Sequence, residues 1–167
     1  KMTELLSVQY AQTGKSTQQN NMGMREMQSR AYAAKDAQYL LLKAPPASGK
    51  SRALMFLALD KVERQGLSKA IIAVPEISIG GSFADTNLSK FGFFADWHID
   101  ARYNLCTAGE AGKVDKLLEF LNDCAAKYLL CTHATLRFAF ERIGSASSFD
   151  NTLISIYKFH HTSAEDC

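Results

Sequence analysis

The chain has 167 residues, of which 47% are hydrophobic and 22% are charged. This composition is typical of a globular protein and argues against wholesale disorder, and the length suits one domain. The formal net charge is only +2, from 19 basic and 17 acidic side chains. Bulk electrostatics therefore do not predict nucleic-acid binding, and any such contact requires a local groove.

The sequence also argues against a membrane span, a secretory signal, a disulfide framework and a zinc site. No apolar run reaches the roughly 18 residues that a membrane-spanning helix needs. The N-terminus lacks the basic start and apolar core of a secretory signal. The four cysteines are too few and too irregularly spaced for a disulfide framework or a zinc site. We therefore expect a cytoplasmic protein without a membrane partner.

The N-terminal segment differs in composition from the rest of the chain. Residues 7–23 are rich in Gln, Asn, Ser and Thr and have no apolar periodicity. Such a segment buries little apolar surface, so we predict a polar flexible arm over residues 1–23. Residues 24–167 are then predicted to be one domain.

From residue 24 onward, apolar runs that suit strands alternate with segments that suit helices. Alternation of this kind indicates βαβ units and a mainly parallel sheet. Residues 144–151 have the composition of a plain surface loop. The predicted strands are 39–43, 70–74, 128–131 and 153–156, and the predicted helices are 24–34, 48–65, 114–121 and 134–142.

The most informative segment is residues 44–51, with the sequence APPASGKS, which lies between a predicted strand and a predicted helix. We call it the phosphate loop. Small residues allow backbone N–H groups to wrap a phosphate, a lysine reaches the β- and γ-phosphates, and a hydroxyl can bind Mg²⁺. Lys50 and Ser51 supply these groups, and the helix N-terminus adds positive potential. Ala44 departs from the strict pattern, which has a glycine there.

A second Gly-Lys-Ser occurs at residues 14–16. The strict phosphate-loop pattern has a glycine five positions before Gly14, but this chain has Gln9 there, and no helical pattern follows. We interpret this second match as chance.

The phosphate loop, with the upstream sequence MREMQ, resembles that of superfamily 2 helicases of the restriction type, in their first motor domain. The resemblance implies a P-loop NTPase fold of the RecA-like class, with a mainly parallel sheet flanked by helices and incomplete at its C-terminal end. ATP and Mg²⁺ are the implied cofactors, and Ser51 the implied metal ligand. The implied nucleotide-binding residues are Arg25, Gln28, Pro46, Ala47, Ser48, Gly49, Lys50, Ser51 and Arg52, with Gln28 reading the adenine. The family's loop commonly has glycine where Ala47 stands.

Two further blocks resemble the family's nucleic-acid contacts. One follows the strand at 70–74, and the other is the Thr-His element before the helix at 134–142. The implied partner is nucleic acid, with DNA favoured over RNA, and the implied contact residues are Pro75, Glu76, Gly80, Thr132 and His133. Taken singly, a Val-Pro after a strand is usually a strand end, and a Thr-His before a helix is usually an N-cap.

The family's acidic block, D-E-x-H, is altered in this chain. Its aspartate holds Mg²⁺ and its glutamate orients the attacking water. Tyr157 and Lys158 stand at the two acidic positions, whereas His160 matches the histidine. The resemblance thus assigns Lys50 and His160 as catalytic residues but predicts a large loss of hydrolysis.

The family's next strand and its second motor domain have no counterpart in this sequence. In the family, that strand lies between the phosphate-loop strand and the acid-bearing strand, so its absence predicts an open slot with unpaired backbone groups. We therefore expect part of a longer motor, or a chain that needs a partner and does not unwind DNA alone.

The expected function is nucleotide binding with little or no hydrolysis, within a parent that moves on nucleic acid. A different class of function is a non-catalytic nucleotide- or nucleic-acid-binding module. A third reading is a small P-loop kinase, although the chain offers it no candidate base and only scattered arginines.

Overall fold

The computed structural model describes residues 4–7, 19–109, 111–144 and 146–157. Within these residues the chain alternates strands and helices as the sequence predicts. The strands are β1 (Glu4–Ser7), β2 (Leu40–Lys43), β3 (Lys69–Val74), β4 (Tyr128–Thr132) and β5 (Thr152–Ile156), and the helices are α1 (Glu26–Ala33), α2 (Lys50–Glu63), α3 (Lys113–Asn122) and α4 (His133–Ile143). Short 3₁₀ helices cover Ile77–Phe83, Ser89–Phe91, Ala101–Tyr103 and Ala146–Phe149.

The strand pairs in the described part of the chain are all parallel, and they form two separate sheets. One sheet pairs β1 with β2, and the other has the order β4-β3-β5. In the larger sheet Ile71 lies opposite both Leu129 and Ile154. The α/β class and the parallel arrangement predicted from the sequence are confirmed.

Strand β3 is the centre of the core because both of its faces are covered. All six of its residues are buried, as expected of a central parallel strand. Ile72 and Val74 pack in the cluster that includes Phe56 and Leu59 of α2. Ile71 packs on the opposite face, in the cluster that includes residues of α3 and α4. Helices therefore flank the larger sheet on both sides.

A groove separates the two sheets. It is a cavity of about 290 Å³ lined by residues of β2, α2 and β5, and we call it the inter-sheet groove. Leu41 is 52% exposed and Ile156 is 55% exposed. Within the described residues, β2 pairs with β1 alone and β5 with β3 alone. The prediction of a buried strand at 39–43 is therefore wrong in its burial, because no residue of β2 is fully buried among the described residues.

The structure differs from the sequence-based expectations in two other places. The predicted loop at 144–151 contains a 3₁₀ helix, and Phe149 in it is buried and stacks on Phe140 at 4.1 Å between ring centroids. Strand β1 lies within the segment predicted as an arm over residues 1–23, where it pairs with β2. The division of the chain at residue 23 stays a prediction.

In the part of the chain that the structure describes, no helix has the length and hydropathy needed to cross a bilayer.

Candidate nucleotide-binding site

The phosphate loop connects the end of β2 to the start of α2. Gly49 precedes the helix with φ +90°, and Ala47 also has a positive φ of +59°. The first backbone N–H groups of any α-helix have no partner within the helix, and its N-terminus is electropositive. The loop therefore has the local architecture of an anion-binding site.

The loop opens on a cavity of about 390 Å³, which we call the phosphate-loop cavity. Residues from four parts of the sequence line it, although they lie far apart along the chain. The lining residues are Arg25, Gln28, Ala47, Gly49, Lys50, Ser51, Arg52, Met55, Ser82, Thr86 and Tyr157. Seven of them belong to the set that the sequence assigns to nucleotide binding. Pro46 and Ser48 of that set lie in the loop itself.

Lys50 is folded back onto the loop. Its Nζ donates hydrogen bonds to the carbonyl oxygens of Ala44 at 2.8 Å and Pro45 at 2.9 Å. Burial lowers the pKa of this lysine below its usual value, because a charged group loses hydration inside a protein. A phosphate entering the loop would replace these two carbonyl acceptors with a better partner for an ammonium group.

Gln28 links the phosphate loop to the start of α1 through two hydrogen bonds. This side chain is only 2% exposed. Its Oε1 accepts from the backbone N of Arg25 at 2.8 Å, and its Nε2 donates to the carbonyl of Gly49 at 3.1 Å. Its amide is therefore engaged within the protein on both sides, and adenine contact by Gln28 stays a prediction.

The same contact explains the glycine at position 49. A Cβ built on Gly49 would lie 2.5 Å from Nε2 of Gln28, and its positive φ disfavours any side chain. The close approach of Gln28 therefore requires Gly49.

Ser48 is buried, and its hydroxyl is among the described polar atoms that are buried without a hydrogen-bond partner. An unpartnered buried hydroxyl is costly unless a ligand or water completes it. Its position inside the phosphate loop is consistent with a site that a ligand completes.

Tyr157 follows β5 and reaches the phosphate loop. Its backbone N donates to the carbonyl of Ala73 at 2.8 Å, which continues the pairing of β5 with β3. Its ring lies 6.0 Å from Nζ of Lys50 and makes an edge contact with Phe83, with 6.1 Å between centroids. The residue that the sequence resemblance aligns with an aspartate thus lies near the phosphate-loop lysine. Lys158 and His160 lie outside the described residues.

Magnesium is poorly matched by the residues present. Mg²⁺ in proteins is usually held by one or two carboxylates together with phosphates and water. Ser51 offers a hydroxyl, but no Asp or Glu is found among the described residues that line the phosphate-loop cavity. The described lining residues therefore do not fit a metal held by protein carboxylates, and Ser51 as a magnesium ligand stays a prediction.

The five residues assigned to nucleic-acid contact are not among the described residues that line this cavity, and they lie after β3 and around the start of α4. Glu76 is exposed, whereas Gly80 is buried. A Cβ on Gly80 would lie 2.4 Å from Cβ of Cys106. The absence of a side chain at Gly80 is therefore explained by packing alone. Pro75 follows β3 directly.

The Thr-His element begins α4. Thr132 is the N-cap of α4, and its Oγ1 accepts from the backbone N of Thr135 at 3.3 Å. Nε2 of His133 is buried and has no hydrogen-bond partner among the described residues. The capping role is thus present in the structure, and a phosphate-contacting role for either residue stays a prediction.

Sequence reasoning did not assign Met55, Ser82 or Thr86 to the site. Ser82 and Thr86 lie in the long connection after β3, which no periodic pattern marks. Met55 is part of the apolar pattern of α2 and could be assigned only to the core. No signal in the sequence alone would have found these three residues.

Comparison with curated proteins gives a relative from Bacillus subtilis (strain 168) named "Putative ATP-dependent helicase YeeB". The two sequences are 53% identical over 164 residues, which cover 98% of this chain and 27% of the relative. The chain is related to that protein. It spans about a quarter of the length of the curated relative that it matches. No family model and no solved structure matches the chain.

Proposed function

We propose that this chain is the ATP-binding part of the first motor domain of a superfamily 2 DNA helicase or translocase, with residues 24–167 as the N-terminal part of that domain. The observation that carries the proposal is the phosphate loop, whose Lys50 lies in one cavity with Arg25 and Arg52. The relationship to a protein named as a helicase supports the same class.

In this proposal the phosphate loop binds the β- and γ-phosphates of ATP. The N–H groups at the start of α2 and the ammonium group of Lys50 donate to the phosphate oxygens. Arg25 and Arg52 add positive charge to the lining of the cavity. Gln28 orients the loop through Gly49 and is also the candidate adenine contact.

Nucleic acid is the proposed second ligand of the parent protein. Pro75, Glu76, Gly80, Thr132 and His133 are the candidate contacts. They follow β3 and β4 at the carboxyl ends of these parallel strands, where ligands of open α/β sheets bind.

This chain by itself is proposed to bind nucleotide with little or no hydrolysis. In a site that held it, Mg²⁺ would supply neutralisation of the phosphate charge during hydrolysis. Tyr157 offers no carboxylate to hold the metal, and Lys158 cannot act as the usual base. The same observation favours the alternative function, a non-catalytic nucleotide- or nucleic-acid-binding module. Turnover after Tyr157→Asp combined with Lys158→Glu would favour the motor, and its absence would favour the module.

Titration with a fluorescent ATP analogue tests the proposal. Lys50→Ala should weaken binding about 10- to 100-fold, because a charge-assisted hydrogen bond to phosphate is lost. Lys116→Ala is the matched control, because Lys116 lies on the exposed surface of α3. Equal affinity in Lys50→Ala and Lys116→Ala would contradict the proposal.

A further inference from the structure

The charge around the phosphate-loop cavity is one-sided. Arg25, Lys50 and Arg52 line it, and its other described lining residues are neutral. The N-terminus of α2 adds positive potential to these three cations. The charged residues of the described lining therefore attract an anion in this cavity, and none of them repels it.

Nucleotide-binding sites that depend on Mg²⁺ differ from this one, because they have a negatively charged side chain beside the phosphates. A carboxylate beside the phosphates repels them, and the metal is then needed to bridge the two negative groups. Here the residue that follows β5 is Tyr157, whose ring lies 6.0 Å from Nζ of Lys50. Neither this residue nor Ser51, Ser82 or Thr86 offers a carboxylate that would repel phosphate.

From this balance we infer that the phosphate-loop cavity binds the metal-free polyphosphate of a nucleotide, and that Mg²⁺ does not strengthen the binding. The inference rests on the proposed function and specifies the chemical form of its ligand. A metal-free triphosphate carries more negative charge than its Mg²⁺ complex, so the three cations attract it more strongly. The site is thereby a polyphosphate receptor in which protein cations take the place of the metal.

The test is a titration of the full chain with a fluorescent ATP analogue, once in Mg²⁺ and once in EDTA. We expect affinity in EDTA equal to or greater than that in Mg²⁺. Inorganic tripolyphosphate should displace the analogue in EDTA. Affinity that rises tenfold or more when Mg²⁺ is added would overturn the inference while leaving the proposed function intact.

Two substitutions of Tyr157 distinguish the effect of side-chain charge on binding from the effect of side-chain shape. Tyr157→Asp should weaken binding in EDTA about tenfold and make Mg²⁺ favourable, because it places a carboxylate beside Lys50. Tyr157→Phe keeps the ring against Phe83 and adds no carboxylate, so the ratio of its affinities in Mg²⁺ and EDTA should match that of the unaltered chain. Identical Mg²⁺ responses in folded Tyr157→Asp and Tyr157→Phe would overturn the inference.

Failure of the proposed function gives a different result. In that case Lys50→Ala binds the analogue as tightly as the unaltered chain does, or neither of them binds it, with or without Mg²⁺. The unaltered chain in the two buffers decides the inference even if Tyr157→Asp does not fold.

Discussion

Ala47 has a left-handed backbone conformation inside the phosphate loop, with φ +59°. A side chain in this conformation costs roughly 1–2 kcal/mol, whereas glycine adopts it freely at an entropic cost of roughly 0.5–1 kcal/mol. We expect Ala47→Gly to raise the free energy of unfolding by up to about 1 kcal/mol, measured by urea denaturation.

Ala44→Gly is the matched control in the same loop, because Ala44 does not have a positive φ. That substitution should lower the free energy of unfolding by about 0.5–1 kcal/mol. A loss of stability in Ala47→Gly as large as in Ala44→Gly would show that the strain at Ala47 is not the deciding factor.

At the residue scale, the sequence predicts the loop but not the state of its side chains. The order of strand, small residues, Lys50 and helix was enough to place the loop, because each part has a local physical reason. The folded-back Lys50 and the amide bridge from Gln28 to Gly49 depend on distances between segments. Such distances are set by packing and leave no pattern in the sequence.

At the scale of elements, the long connection between β3 and α3 is a part of the chain where the sequence analysis predicts no helix or strand. It contains three 3₁₀ helices and places Phe83, Trp97 and Tyr103 in the core. Its aromatic residues do not behave alike, since Phe91 is 44% exposed and Phe93 is buried. In regular helices and strands, the spacing of apolar residues indicates which face is buried. Irregular connections have no such period, so burial cannot be predicted from their sequence.

Asp85 ties two parts of this connection together. Its carboxylate accepts from the backbone N of Ile99 at 3.0 Å and contacts Nδ1 of His98 at 2.7 Å. The hydrogen bond from Ile99 and, to a smaller extent, the one with His98 hold the pKa of Asp85 below its usual value of 3.8. A carboxyl group with a lowered pKa stabilises the fold above its usual pKa and loses that contribution as the pH falls through its folded value.

Asp85→Asn tests this contact. We expect a loss of about 0.5–1 kcal/mol in the free energy of unfolding at pH 7, a modest value because the carboxylate is largely exposed. Urea denaturation should give the same loss at pH 5 and a smaller one at pH 3. A loss that grows between pH 5 and pH 3 would contradict the role given to the ionised carboxylate.

At the scale of the whole molecule, the separation into two sheets is the main structural feature. The alternation of strands and helices predicts a parallel sheet, and every observed pair is parallel. The break between β2 and β5 was expected only from the family resemblance, because apolar runs do not specify strand order. The exposure of Leu41 and Ile156 follows from this break.

The inter-sheet groove should therefore tolerate charge where a core would not. Leu41→Lys is expected to change the free energy of unfolding by less than about 0.5 kcal/mol, since the side chain is already half exposed. Lysine on an unpaired strand edge also opposes edge-to-edge association, so light scattering at high protein concentration should fall. The measurements are urea denaturation and static light scattering.

Leu130→Ala provides the contrast, because Leu130 is fully buried in β4. It should lose about 2–5 kcal/mol. If Leu41→Lys costs as much as Leu130→Ala, then Leu41 is covered in solution and the groove is closed.

The central claim is that the phosphate loop binds the phosphates of a nucleotide. Amide chemical shifts, followed by NMR while ADP is added to isotopically labelled protein, test it at the level of single residues. We predict that the largest shifts occur at Gly49, Lys50 and Ser51, with smaller shifts at Arg25 and Gln28, and that Lys50→Ala needs about 10- to 100-fold more ADP to give them. Shifts that leave residues 44–52 unchanged, or that need no more ADP in Lys50→Ala, would contradict the claim.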